Sequence, residues 1–180
     1  MKEAQDTILT YSKIRFAPLS PREADIKLLD IAHSLSLLCR ANGHFPEFFS
    51  VAQHCINCER EARARGYSKK VRLACLLHDA SEAFISDVTR PVKKNLLEYT
   101  AIESKLQKAI WNAFNIHLSP EDQALVYSVD DAMLYAEFDA LMGEKVFPEP
   151  PLLQSEPDFS TRNFKSVEQE FVMACMGLMG

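Results

Sequence analysis

The sequence is short of glycine, with five in 180 residues. Glycine supplies the positive φ angles of tight hairpin turns, so its scarcity argues for helices over a strand-rich chain. No segment sustains an apolar/polar alternation of period two, and no Asn-Gly pair sits between alternating runs. An all-α fold is therefore expected in place of an α/β one. No run approaches the 18 or so apolar residues that a membrane-spanning helix needs. The N-terminal stretch MKEAQDTILTYSKIRF interleaves charges with its apolar positions and has no small-residue cleavage site, so a cytoplasmic protein is expected. Excess positive charge is missing too: the formal net charge is −5. This gives no broad attraction to a nucleic acid polymer or to an anionic membrane, and leaves small molecules as the expected partners. The five cysteines are an odd number, and Cys39, Cys55, Cys58 and Cys75 sit among helical-looking apolar residues. Cys55-x-x-Cys58 has no second pair, so these read as structural thiols of a reducing compartment.

What the chain does have is apolar residues, at 47%, and repeated helix-start signals. The content suits one domain spanning residues 1–180 with a sizeable core. Ser20-Pro21-Arg22-Glu23 reads as a capped start of a first helix running through Ile26, Leu29 and Leu38. Ser50 with Gln53 opens a second, ending at Gly66, and SKKVRLACLLHDASEAF gives a third. A fourth is expected from about Tyr99 to Phe114, a fifth from Ser119 to about Met142, and a last from Ser166. The core is placed at about 25–142. FPEPPLLQSEPD, with four prolines, is expected to wrap the surface within 143–165, before a C-terminal helix at 166–180.

Ionisable groups interrupt these apolar patterns at three places. On the third helix, His78 and Asp79 are about 100° apart around the axis, and Glu82 lies one turn on. His54 falls between Val51 and Ile56, and Asp130 with Asp131 between Val129 and Met133. An imidazole plus a carboxylate suits a divalent transition metal, but two ligands are too few, so several helices must contribute.

The set SVAQHC, LLHDASEAFISD and VDDAMLYA resembles the HD-domain metal-dependent phosphohydrolases, in which a histidine, a His-Asp doublet and a later aspartate lie on separate helices. The resemblance is strongest to the bacterial 5′-deoxynucleotidase branch and small phage HD deoxynucleotide hydrolases. It runs over about residues 25–140 and includes Arg40, Val51 to His54, His78 to Asp87, and Pro91-Val92-Lys93. It implies a single-domain helical bundle and one divalent metal ion per chain (Mn, Co, Zn, Ni or Fe, or else Mg). The implied ligands are His54, His78, Asp79 and Asp131, the last aligned by its D-A-M-L context, with Asp130 outside the coordination. Glu82 would handle the attacking water and Asp87 would protonate the leaving oxygen. Arg40, Arg90, Lys93 and Lys94 would hold phosphate, and their number suits a triphosphate as well as a monophosphate.

The implied reaction is hydrolysis of deoxynucleoside 5′-phosphates, by a 5′-deoxynucleotidase or a triphosphohydrolase, in a homo-oligomer. Other enzymes of this scaffold lack support, because a Glu-Asp pair four residues after the doublet and a Gly-Tyr-Pro signature are both missing. An inert HD domain that binds a nucleotide as a sensor is the alternative, but none of His54, His78, Asp79, Glu82 and Asp131 is absent. Ala41 follows Arg40 where the deoxynucleotidases carry an aromatic residue, so base or sugar contacts must differ. His33, His44 and Phe16 are read as structural, with His44 nearer the site.

Overall fold

The computed structural model describes residues 6–149 and 151–180. The first five residues of the N-terminal stretch, and Pro150 of the proline-rich stretch, lie outside the described residues. The fold is all-α. A two-stranded antiparallel ribbon, β1 (Ile8–Leu9) and β2 (Arg15–Phe16), precedes the helices. These are α1 (Leu28–Leu37), α2 (Val51–Ala64), α3 (Lys69–Leu77), α4 (Glu82–Ile85), α5 (Arg90–Lys93), α6 (Leu97–Ala113), α7 (Pro120–Met142) and α8 (Phe164–Met179). None is long and apolar enough to cross a membrane.

The second helix is the centre of the bundle. Ser50 caps it by accepting from the Gln53 amide, a contact whose loss costs about 1 kcal/mol. Most of its residues are buried, polar ones included, against α1, α3, α7 and α8. Gly66, at φ +74, turns the chain out of it in a conformation that a Cβ would strain. Gly143, at φ +70, does the same for α7, which opens with a complete capping box at Ser119 and Asp122. The face of α2 at Gln53, Asn57 and Glu61 anchors the proline-rich segment. Gln53 and Asn57 donate to the Asp158 carbonyl, and Glu61 accepts from the amides of Gln154 and Ser155.

Three element boundaries differ from the expectations. The first helix begins at Leu28, not near Ser20, because Ile26 enters the core with extended backbone (φ −80, ψ 118) and interrupts the run after a short 3₁₀ turn at Glu23–Asp25. The third helix stops at Leu77, so Glu82 opens a separate short helix. Gln107 on α6 splices this break: its Oε1 accepts from the Ser81 amide at 3.1 Å and its Nε2 donates to the Leu77 carbonyl at 2.8 Å. One side chain thus satisfies a donor and an acceptor that the break exposes. The last helix starts at Phe164 because Asn163, not Ser166, caps it. The N-terminal ribbon and the four-residue α5 carry too little periodic sequence to be foreseen.

Candidate metal centre

Three elements bring His54, His78, Asp79 and Asp130 together. His54 lies on the buried face of α2, His78 and Asp79 at the break after α3, and Asp130 midway along α7. The His78 ring must carry its hydrogen on Nδ1, which donates to the Cys75 carbonyl at 2.8 Å, since a carbonyl only accepts. His54 Nδ1 lies 2.5 Å from Glu137 Oε1 and is likewise the donating nitrogen. Both Nε2 lone pairs are thereby directed to one place, 3.3 Å from each other. Two neutral acceptors at that distance repel unless a cation or a shared proton lies between them.

The carboxylates complete the cluster. Asp79 Oδ2 lies 3.7 Å from His54 Nε2 and 3.3 Å from His78 Nε2, and Asp130 Oδ1 lies 3.3 and 3.6 Å from the same atoms. Four donors about 2.0–2.2 Å from a common centre in tetrahedral array stand about 3.3–3.6 Å apart, so the observed separations fit a transition-metal ion. Cys58 Sγ, 3.5 Å from His54 Nε2, adds a buried thiol beside the group, and Cys55 lies near His78 and Asp79. This His/Cys/Asp group on a helical fold could hold a metal ion and is compatible with an HD domain.

Electrostatics point the same way. Burial alone would lower the His78 pKa, but Asp79 and Asp130 outweigh it and raise the pKa well above the usual histidine value. Burial would raise the Asp130 pKa, but both imidazoles hold it well below the usual carboxylate range. Without a metal, the cluster is a place that gathers positive charge.

Asp130 occupies the position expected of Asp131. The register of α7 decides this: Val126, Met133 and Glu137 recur with Asp130 at helical spacing on the buried side. Asp131 is turned about 100° away, with a side chain 49% exposed, and pairs with Arg90 at 2.7 Å. Glu137, fully buried, belongs to the cluster although it was not among the expected site residues. It orients His54 and accepts from Arg40 Nη2 at 3.3 Å. A carboxylate behind a ligating imidazole fixes its tautomer and raises its basicity. The signal was legible: Glu137 stands seven residues, two helical turns, beyond Asp130 in an otherwise apolar run.

Arg40 reaches the cluster, with Nη1 3.6 Å from Asp79 Oδ2. It stands on a turn whose next two residues, Ala41 and Asn42, both take left-handed backbone (φ 51 each), strain that fixes where the guanidinium emerges. Glu82 is 3% exposed, and its Oε2 has no hydrogen-bond partner among the described residues. Burial, then Asp79 and Asp87, push its pKa well above the ordinary range. Asp87 is partly buried; burial raises its pKa against the opposing charge of Arg40.

Two of the three remaining cations are already engaged. Arg90 pairs with Asp130 and Asp131, and Lys93 donates to Glu103 at 2.7 Å with Glu82 at 3.8 Å. Lys94 is exposed and is not among the residues lining the adjoining cavity. That cavity, about 890 Å³, runs from His78, Asp79 and Asp130 between α6 and α7 towards Trp111 and Tyr127. His33 pairs with Glu168 elsewhere, His44 is exposed, and Phe16 stacks on Phe84 in the core.

No family model matches the chain. Over 109 residues, 61% of the chain, it is 34% identical to the uncharacterized protein YfdR of Escherichia coli (strain K12), of which it covers 58%. An uncharacterized protein of Rhodobacter capsulatus is 35% identical over 64% of the chain and 61% of its own length. The chain thus spans about three fifths of the length of the curated relatives it matches.

Proposed function

We propose that the protein is a metal-dependent phosphohydrolase of the HD type that cleaves deoxynucleoside 5′-phosphates. The observation that carries the reading is the pair of Nε2 atoms 3.3 Å apart, each held in its tautomer by a partner on Nδ1 and each flanked by Asp79 and Asp130. His54, His78, Asp79 and Asp130 would hold the ion. A divalent cation, when bound, supplies acidified water and offsets charge at phosphorus.

The chain's own residues would do the rest. Glu82, buried beside the cluster with an oxygen that meets no donor among the described residues, would take a proton from the attacking water in its ionised form, which a cation at the centre would favour. Asp87, whose pKa is also raised by burial, is set to give a proton to the leaving ribose oxygen. Arg40, 3.6 Å from Asp79, offers a guanidinium for a phosphate oxygen. The cavity between α6 and α7 has room for a nucleoside. Arg90 and Lys93 each already meet a carboxylate, so positive charge in excess of one phosphate is not free. That pairing favours cleavage at a single phosphate over gripping of a triphosphate tail.

The test is a screen of purified protein with Mn²⁺, Co²⁺, Ni²⁺, Zn²⁺, Fe²⁺ and Mg²⁺ against the deoxynucleoside 5′-mono- and triphosphates, with identification of the released phosphate species. Orthophosphate from a monophosphate is expected. No cleavage of either class with any metal removes the nucleotidase reading and favours a nucleotide sensor.

A further inference from the structure

Phosphate hydrolysis at this centre needs no sulfur, yet a thiol stands beside it. Cys58 is fully buried on α2, one helical turn beyond His54, so the two side chains leave the helix on one face. Its Sγ lies 3.5 Å from His54 Nε2 and 4.0 Å from Nδ1, and Nδ1 is already given to Glu137. The sulfur is thus nearer the nitrogen whose lone pair points into the cluster. His54, Cys58 and His78 each offer a donor atom, and the three atoms lie within 4.8 Å of one another.

The spacing is that of two ligands of one ion. Zinc-type bonds run about 2.0–2.1 Å to nitrogen and about 2.3 Å to sulfur, and with the two atoms 3.5 Å apart they close an angle of about 107° at the ion. The placement also suits an ion that must keep one side open. Asp79 and Asp130 line the large cavity, whereas Cys58 is buried behind the imidazoles, so a sulfur bond closes the inner side and leaves the cavity side to water and phosphate. Two carboxylates and a thiolate outweigh a divalent ion by one negative charge. Arg40, 3.6 Å from Asp79, and Arg90, 2.6 Å from Asp130 Oδ2, supply positive charge to balance it.

We propose that Cys58 is a sulfur ligand of this centre, and that the ion held there is a thiophilic one of the zinc or cobalt class in place of magnesium or manganese. As the ion binds, the Cys58 S–H bond breaks, its proton leaves to solvent, and the sulfur electron pair forms the bond to the ion. Thiolate is a soft ligand that the hard, oxygen-seeking ions do not favour, so one sulfur shifts the choice of metal without altering the four nitrogen and oxygen donors. Cys58 then differs in role from the purely structural thiol expected of it. The inference rests on the metal-centre reading and not on the reaction proposed for it.

The test is titration of the metal-free full chain with Co²⁺, recorded in the near ultraviolet and the visible together. A sulfur-to-cobalt charge-transfer band is expected to rise in step with the visible ligand-field bands, both saturating at one Co²⁺ per chain. Cys58→Ser, close in size to the wild type, should lose the near-ultraviolet band and keep the visible ones, and Cys55→Ala should keep both. Competition against Co²⁺ should show Cd²⁺ affinity falling about tenfold or more in Cys58→Ser, with Mn²⁺ affinity changed by no more than about threefold. Visible bands that saturate in the wild type with no charge-transfer band overturn the proposal and leave the metal centre standing, and this outcome needs no variant. Absence of both bands removes the centre and the proposal together. A charge-transfer band that runs past one equivalent, or that survives Cys58→Ser and vanishes in Cys55→Ala, places the sulfur elsewhere and also overturns it.

Discussion

His54 and Glu61 lie two turns apart on α2, both fully buried, and their surroundings are opposites. Around Glu61 every need is met: its carboxylate accepts from the Gln154 and Ser155 amides, the Ser155 hydroxyl and Arg65 Nε at 2.7 Å. Around His54, two imidazole lone pairs face each other and Glu82 Oε2 finds no donor among the described residues. A buried polar group with all its partners is architecture, here the anchor of the segment after α7. One left short of positive charge is a site that expects a ligand.

The largest expected effect breaks the second region alone. Asp130→Ala should abolish stoichiometric metal binding and lower turnover by more than about 100-fold, beyond the loss expected for a residue that only orients a ligand. Asp131→Ala should leave both within about threefold, because an exposed ion pair contributes little. Elemental analysis beside kinetics reads both variants, and the reverse outcome would restore Asp131 as the ligand. Next, Glu82→Gln should cut turnover by roughly 10²–10⁴-fold with metal retained. Its thermal midpoint should not fall, since the substitution removes an uncompensated buried acid; a lowered midpoint would make Glu82 structural.

Glu61→Gln sharpens the comparison from the other side. Its charged hydrogen bonds should be worth about 3 kcal/mol in denaturant unfolding, with metal stoichiometry unchanged. Burial opposes ionisation of Glu61, but its donors, Ser155 and Arg65 foremost, hold the pKa below the usual value. A depressed folded-state pKa contributes stability that is full above the unfolded value, near 4.3, and is lost as pH falls through the folded one. Acid unfolding of the wild type should therefore be steeper than that of Glu61→Gln. Smaller than the loss from Asp130→Ala is that from Glu137→Gln, expected to weaken metal binding about 10–100-fold while leaving one ion per chain at saturation.

Much of this was legible in the sequence. Ser50, Ser119 and Gly66 mark helix ends by local chemistry, and the His-Asp doublet with His54 locates the centre of the site. What escaped depended on tertiary partners. Asp130 and Asp131 are equivalent in a motif, and only packing of Val126 and Met133 turns one inward. The break after Leu77 rests on Gln107, thirty residues away, and the commitment of Arg90 and Lys93 to carboxylates is invisible without the fold.

The central claim, that His54, His78, Asp79 and Asp130 form a metal centre, is tested most directly by titrating metal-free wild-type protein with Co²⁺ and following visible absorption. Ligand-field bands that saturate at one Co²⁺ per chain are expected. Bands that never appear, or that rise without saturation, would contradict it.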